Sequence, residues 1–136
     1  MYKYEFGKFI YFDYLVFINS CNFQNLQKNY NIRCDLNEII LYNNLIKTFF
    51  KETENEQNID KIIEKALNLV GFLWFRQPFF DGNTRTLRNF LQIFFCSINY
   101  KFEILPNEYF IPIFYSDDEK CNNDNILKIK RRLTKL

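Results

Sequence analysis

The sequence predicts an all-α fold, on three observations. Its 136 residues include only three glycines and three prolines, which leaves little punctuation for tight turns and room for long helices. Apolar residues recur at helical spacing, most completely at Leu87, Phe90, Leu91, Phe94 and Phe95, which follow an i, i+3, i+4, i+7, i+8 pattern. Helix-starting residues stand where such patterns begin: Asp35 precedes one of them, with Glu38 three residues later at the capping-box spacing. The expected architecture is a compact bundle of about five to seven helices around two central ones.

The elements follow in chain order. Residues 8–19 are nearly all apolar or aromatic and predict a buried helix, with a strand as the alternative that periodicity leaves open. Residues 20–34 are polar and predict a loop with a short helix. The helix opened by Asp35 places Leu36, Ile39, Ile40, Ile46, Phe49 and Phe50 largely on one side. Residues 51–58 form a charged connector. Asp60 is the expected cap of a long helix that runs to about Arg76, apolar on most faces and therefore central. Pro78 ends it, because proline lacks the N–H and drives its predecessor out of the α region. A second central helix opens near Asn83 or Thr84, with Arg85, Arg88, Asn89 and Gln92 largely outside its apolar stripe. Pro106 suits a first helical turn, so residues 106–116 are expected to be helical, with Pro112 kinking or breaking them. Asp117, Asp118 and Glu119 read as a solvated turn, and residues 122–125 as the cap of a last helix from about Ile126.

Size and composition bound the function. The length is that of one domain, and 48% hydrophobic with 25% charged residues is a globular composition that buries a core without disulfides or metal. The 17 Phe and 9 Tyr match what an AT-rich genome favours more simply than a functional use of aromatics. A net charge of +2 argues against a nucleic-acid partner. Cys21, Cys34, Cys96 and Cys121 form no CxxC pair, and the chain has no histidine to complete a zinc site. Free thiols and a reducing cytoplasm are the expectation, with Cys96 packed in the core. The first residues, with Lys3, Glu5 and Lys8, do not read as a secretory signal. The apolar run 11–19 is broken by Asp13 and is too short for a bilayer, so no membrane association is expected.

The densest chemistry lies in Gln77-Pro78-Phe79-Phe80-Asp81-Gly82-Asn83-Thr84-Arg85-Thr86-Leu87-Arg88. Here a small, polar turn opens onto a helix. A helix N-terminus presents unpaired N–H groups and the positive end of a dipole. Gly82 permits positive φ and close backbone approach, and Asn83 tolerates the same region. Such a turn can cradle an anion. Asp81 offers a carboxylate oxygen of the kind Mg²⁺ takes sparingly. Arg85 and Arg88, one helical turn apart, suit phosphate oxygens. Taken alone, an Asp-Gly-Asn turn before a helix is commonplace, and a capped turn with surface arginines explains it as well.

The spacing adds more. The segment resembles the Fic (Fic/Doc, Fido) signature HPFx[DE]GNGRxxR, with Pro78, Phe79, Asp81, Gly82, Asn83, Arg85 and Arg88 in register. The run from Thr86 to Leu91 and the later Asn107-Glu108-Tyr109-Phe110 look like that family's continuation. The resemblance covers about residues 30–135. It implies one Fic-like domain over 1–136, with a divergent helical region at 1–30 and the core at 31–136. It further implies an all-α Fic-like bundle around a helix–motif loop–helix unit, related to enzymes that transfer AMP from ATP to Ser, Thr or Tyr hydroxyls. By position, Asp81 would hold Mg²⁺. Gly82, Asn83 and Thr84 would line an anion hole for ATP, Arg85 and Arg88 would hold its phosphates, and Phe79 would anchor the loop. The cellular setting implied is the cytoplasm, or that of a delivered effector.

Three departures make this motif degenerate. Gln77 stands at the position of the family's general-base histidine, and an amide does not exchange a proton near neutral pH. Thr84 replaces the second motif glycine, which adds a Cβ where the family has none. Residues 51–58 lack the alternating apolar residues of the family's target-docking hairpin. AMP transfer is therefore expected to be lost or strongly reduced. The alternatives are a pseudoenzyme that serves as a protein-interaction module, or a nucleic-acid binder acting through Lys128, Lys130, Arg131, Arg132 and Lys135. That basic run reads more simply as a solvated helix face. Thr48 to Glu52 has the spacing of the family's inhibitory motif but lies inside an expected core helix, and reads as chance. Trp74 and Phe75 are expected in the core, with contact to an adenine as the alternative.

Overall fold

The computed structural model describes residues 27–28, 31–106, 110 and 119–136. The helix expected over residues 8–19, most of the segment 106–116, and Asp117 and Asp118 lie outside those residues. The described chain runs α1 (Leu36–Glu54), α2 (Ile59–Arg76), α3 (Asn83–Ser97), β1 (Tyr100–Phe102), α4 (Glu119–Lys130) and β2 (Leu133–Lys135). It is all-α in class, with one small two-stranded sheet.

The first two helices begin where a side chain meets an orphan N–H group. Asp35 caps α1 by accepting from the Glu38 N–H at 2.8 Å. The helix continues through Lys51 to Glu54, so the connector shortens to 55–58, and no strand or hairpin lies there. Asn58, and not Asp60, caps α2: its side chain accepts from the Asp60 N–H at 3.0 Å, and Asp60 sits in the first turn beside the positive dipole end. Asn fills the cap as well as Asp does, and Asp60 stands two residues further on.

The two helices run antiparallel, since Glu52 meets Lys65 near the turn while Tyr42 packs edge-on to Phe72 farther along. Their core face is Ile39, Tyr42, Asn43, Ile46, Phe49 and Thr53 on α1, against Ile62, Ile63, Ala66, Leu69, Val70 and Leu73 on α2. Ile40 and Phe50, expected on the buried side, are only half-buried. Glu52 points to Lys65, which fits a chance spacing in the Thr48–Glu52 segment.

Helix α2 is central, packed against α1, α3 and α4. Helix α3 buries the expected stripe Leu87, Phe90, Leu91, Phe94 and Phe95, and adds Asn83 and Thr86 at its start. Phe49 and Phe50 of α1 meet Phe90 and Phe94 of α3, with Phe49 and Phe94 centroids 4.7 Å apart. Aromatic pairs of this kind contribute about 0.5–1.5 kcal/mol beyond their burial.

The C-terminal part departs from expectation. Helix α4 opens at Glu119 and not near Ile126, so the turn expected there is already helical at its last residue. The basic run is not one helix face. Lys128 and Lys130 close α4, Arg131 and Arg132 turn, and Lys135 lies in β2, antiparallel to β1 in the register Tyr100 to Lys135 and Phe102 to Leu133. Phe102 supplies the reason: it is buried against Phe95, and β2 satisfies the backbone beside it. Lys130 also reaches Asp60 at 3.0 Å, tying α4 to the start of α2. No helix among the described residues is long and apolar enough to cross a membrane.

Candidate functional site

The site is the turn between α2 and α3. Helix α2 ends at Arg76, and Gln77 takes the left-handed conformation (φ 50°, ψ 64°), its N–H donating to the Leu73 and Trp74 carbonyls. Pro78 then forbids any helical continuation. Gly82 also adopts the left-handed conformation, at φ 79°, where a Cβ would cost energy, and α3 starts at the next residue. The Thr86 N–H donates to the Gly82 carbonyl at 2.9 Å, which closes the first turn. The positive end of the α3 dipole thus faces the loop.

Asn83 holds the loop together. Only 6% exposed, its Oδ1 accepts from the Phe79 N–H at 3.0 Å. Its Nδ2 donates to the Phe79 carbonyl at 2.7 Å and to Gln77 Oε1 at 3.0 Å. The side chain is spent on shaping the turn, so any contact to a ligand falls to its backbone. Gln77 is likewise engaged at both ends of its amide, because Nε2 donates to the Trp74 carbonyl. Thr84, half-buried at the second motif glycine position, accepts from the Trp74 indole N–H at 3.2 Å, which ties the end of α2 to the start of α3.

The loop is also clamped from outside. Residues 31–33 lie antiparallel to it, with Ile32 bridged to Phe79. The Arg33 N–H donates to the Pro78 carbonyl at 2.8 Å, and the Phe80 N–H to the Asn31 carbonyl at 3.0 Å. The Arg33 guanidinium donates to the carbonyls of Gln77 (Nε, 2.8 Å) and Arg76 (Nη2), placing a cation on the negative end of α2. Sequence reasoning missed Arg33 and Asn31. No periodicity marks 31–33, and their partners lie more than 40 residues away.

Gln77, Phe80, Asp81, Gly82, Asn83, Thr84, Arg85 and Arg88 line one cavity of about 440 Å³. All seven residues expected at the site therefore meet, and Phe80 joins them. Phe79 points the other way and is buried at 1% exposure. Arg85 is exposed, while Arg88 is half-buried, and burial lowers its pKa from the ordinary value. A guanidinium remains cationic near neutral pH all the same. The Asp81 carboxylate is exposed at the rim, with Oδ1 accepting from the Gly82 N–H at 2.8 Å. No cluster of three or more His, Cys, Asp or Glu suited to a metal occurs among the described residues. One carboxylate beside an anion cradle fits a Mg²⁺ ion carried in on phosphates, and does not fit a metal held by protein alone.

Two neighbouring expectations are corrected. Phe75 is 70% exposed and not core, because it falls on the side of α2 away from α1 and α3, whereas Trp74 packs partly into the core. Cys96 is exposed, one position beyond the buried Phe94–Phe95 pair, while Cys34 is buried and its thiol is pushed up to about 12, chiefly by desolvation.

The fold and the site together define an all-α domain built on a helix, a glycine-hinged turn and a second helix. The model of the Fic/DOC family matches residues 22–95, more than half of the chain, and the chain belongs to that family. No curated protein and no solved structure matches it.

Proposed function

We propose that this Fic-domain protein keeps a nucleotide-phosphate pocket and has lost, or nearly lost, AMP transfer. The observation that carries this reading is the cavity in which Asp81, Gly82, Thr84, Arg85 and Arg88 surround the start of α3. The positive helix end and two guanidiniums favour a polyanion there, and Asp81 suits the Mg²⁺ that accompanies ATP. In this role the Asn83 side chain shapes the turn, while its backbone N–H belongs to the anion-binding helix end.

Gln77 supports the other half of the reading. Its amide has no basic nitrogen and is hydrogen-bonded at both ends. General-base catalysis is worth roughly 10²–10⁴-fold, so its loss leaves at most residual transfer. The domain then acts by binding nucleotide, and its target or regulatory protein is read through that state.

The test is incubation with Mg²⁺ and ATP labelled at the α-phosphate. Wild type is expected to stay unlabelled and to label no protein in a cell lysate. Gln77→His, which tolerates the left-handed conformation, is expected to become labelled. Efficient labelling by wild type would overturn the proposed loss of transfer. A silent Gln77→His variant that still binds ATP would show that Gln77 is not its cause.

A further inference from the structure

Phe80 is the one apolar side chain in an otherwise polar and cationic cavity lining, and it is 69% exposed. Its position is not that of a loose loop residue. The bridge to residues 31–33 makes this part of the loop strand-like, and successive side chains in a strand point to opposite faces. Phe79 takes the inner face and Phe80 the outer. The backbone on either side is pinned: Pro78 by Arg33, Phe79 by Asn83, and Phe80 itself by the Asn31 carbonyl. A phenyl ring is thereby held at the cavity without cover, an arrangement that favours an apolar or aromatic occupant.

The rest of the lining asks for something different. It is the start of α3 with Arg85 and Arg88, and it favours negative charge. A ligand that satisfies both parts of the lining carries phosphate at one end and a flat aromatic group at the other. We propose that Phe80 is a stacking platform for the base of a nucleotide whose phosphates lie at the α3 N-terminus. This rests on the reading of the cavity as a nucleotide-phosphate site, and adds that the base, and not the polyphosphate alone, is recognised. Every base has a π-face, so the platform accepts purines and pyrimidines alike.

The experiment is calorimetric titration of the full chain, in the presence of Mg²⁺, with ATP and separately with inorganic triphosphate. Wild type is expected to bind ATP about 10- to 100-fold more tightly than triphosphate, the gain that base–aromatic stacking supplies. Phe80→Ala is expected to weaken ATP to the triphosphate level and to leave triphosphate unchanged. Phe80→Trp is expected to keep the ATP preference. Equal binding of ATP and triphosphate by wild type overturns the proposal while the phosphate site stands. So does a Phe80→Ala variant that keeps the preference, or one that weakens both ligands alike. Binding of neither ligand overturns the phosphate site as well, and the platform with it.

Discussion

Asn83 shows how one residue type can be legible while its job is not. The sequence marks it as part of an anion turn, because Asn tolerates the geometry and brings an amide. In the structure that amide makes three hydrogen bonds within the loop and none of them faces outward to the cavity mouth. Asn83→Ala therefore removes the acceptor of the buried Phe79 N–H and frees the Gln77 amide. An unsatisfied buried donor costs about 1–3 kcal/mol, and the lost partners add to it, so the variant is expected to lose about 2–3 kcal/mol in urea denaturation. A loss below ~0.5 kcal/mol would mean that the loop shape does not depend on this side chain. Thr84 and Gln77 were legible as departures from a motif. That each is tied to Trp74, by indole and by carbonyl, follows only from the approach of two helix ends.

Among the elements, the helices were readable because the buried positions keep the 3.6-residue period. The stripe of α3 is the clearest case, from Leu87 to Phe95. The sheet was not readable. Its strands are three residues each, shorter than any alternation can signal, and they pair across more than 30 positions. The same reason hides the clamp at 31–33, where Arg33 caps a helix that ends 43 residues later. The turn from α3 into β1 does carry a local signal in Asn99, whose φ of 71° favours Asn or Gly. Its carbonyl accepts from the Leu136 N–H at 2.8 Å, which anchors the chain end beside β1. Asn99→Gly is expected to leave thermal stability unchanged or slightly raised. Asn99→Val, with a branched Cβ in the left-handed region, is expected to cost about 1–2 kcal/mol. Equal melting temperatures for the two variants would contradict a conformational requirement at this turn.

On the scale of the whole molecule, the two central helices serve one purpose. Helix α2, fixed by α1 and α4, delivers Gln77 and Trp74 to the loop, and α3, fixed by the phenylalanine cluster, aims its positive end at the same place. The cavity between them collects the acidic and basic residues that the motif spacing had grouped. Family membership rests on the match over residues 22–95, and the proposed function rests on the pocket binding nucleotide phosphates. Calorimetric titration of wild type and Arg88→Ala with ATP and Mg²⁺ tests it most directly. Saturable wild-type binding that weakens at least about tenfold in the variant, the loss of one charge-assisted phosphate contact, is the result predicted. Absence of wild-type binding at millimolar nucleotide, or equal affinity in a folded Arg88→Ala variant, would contradict it.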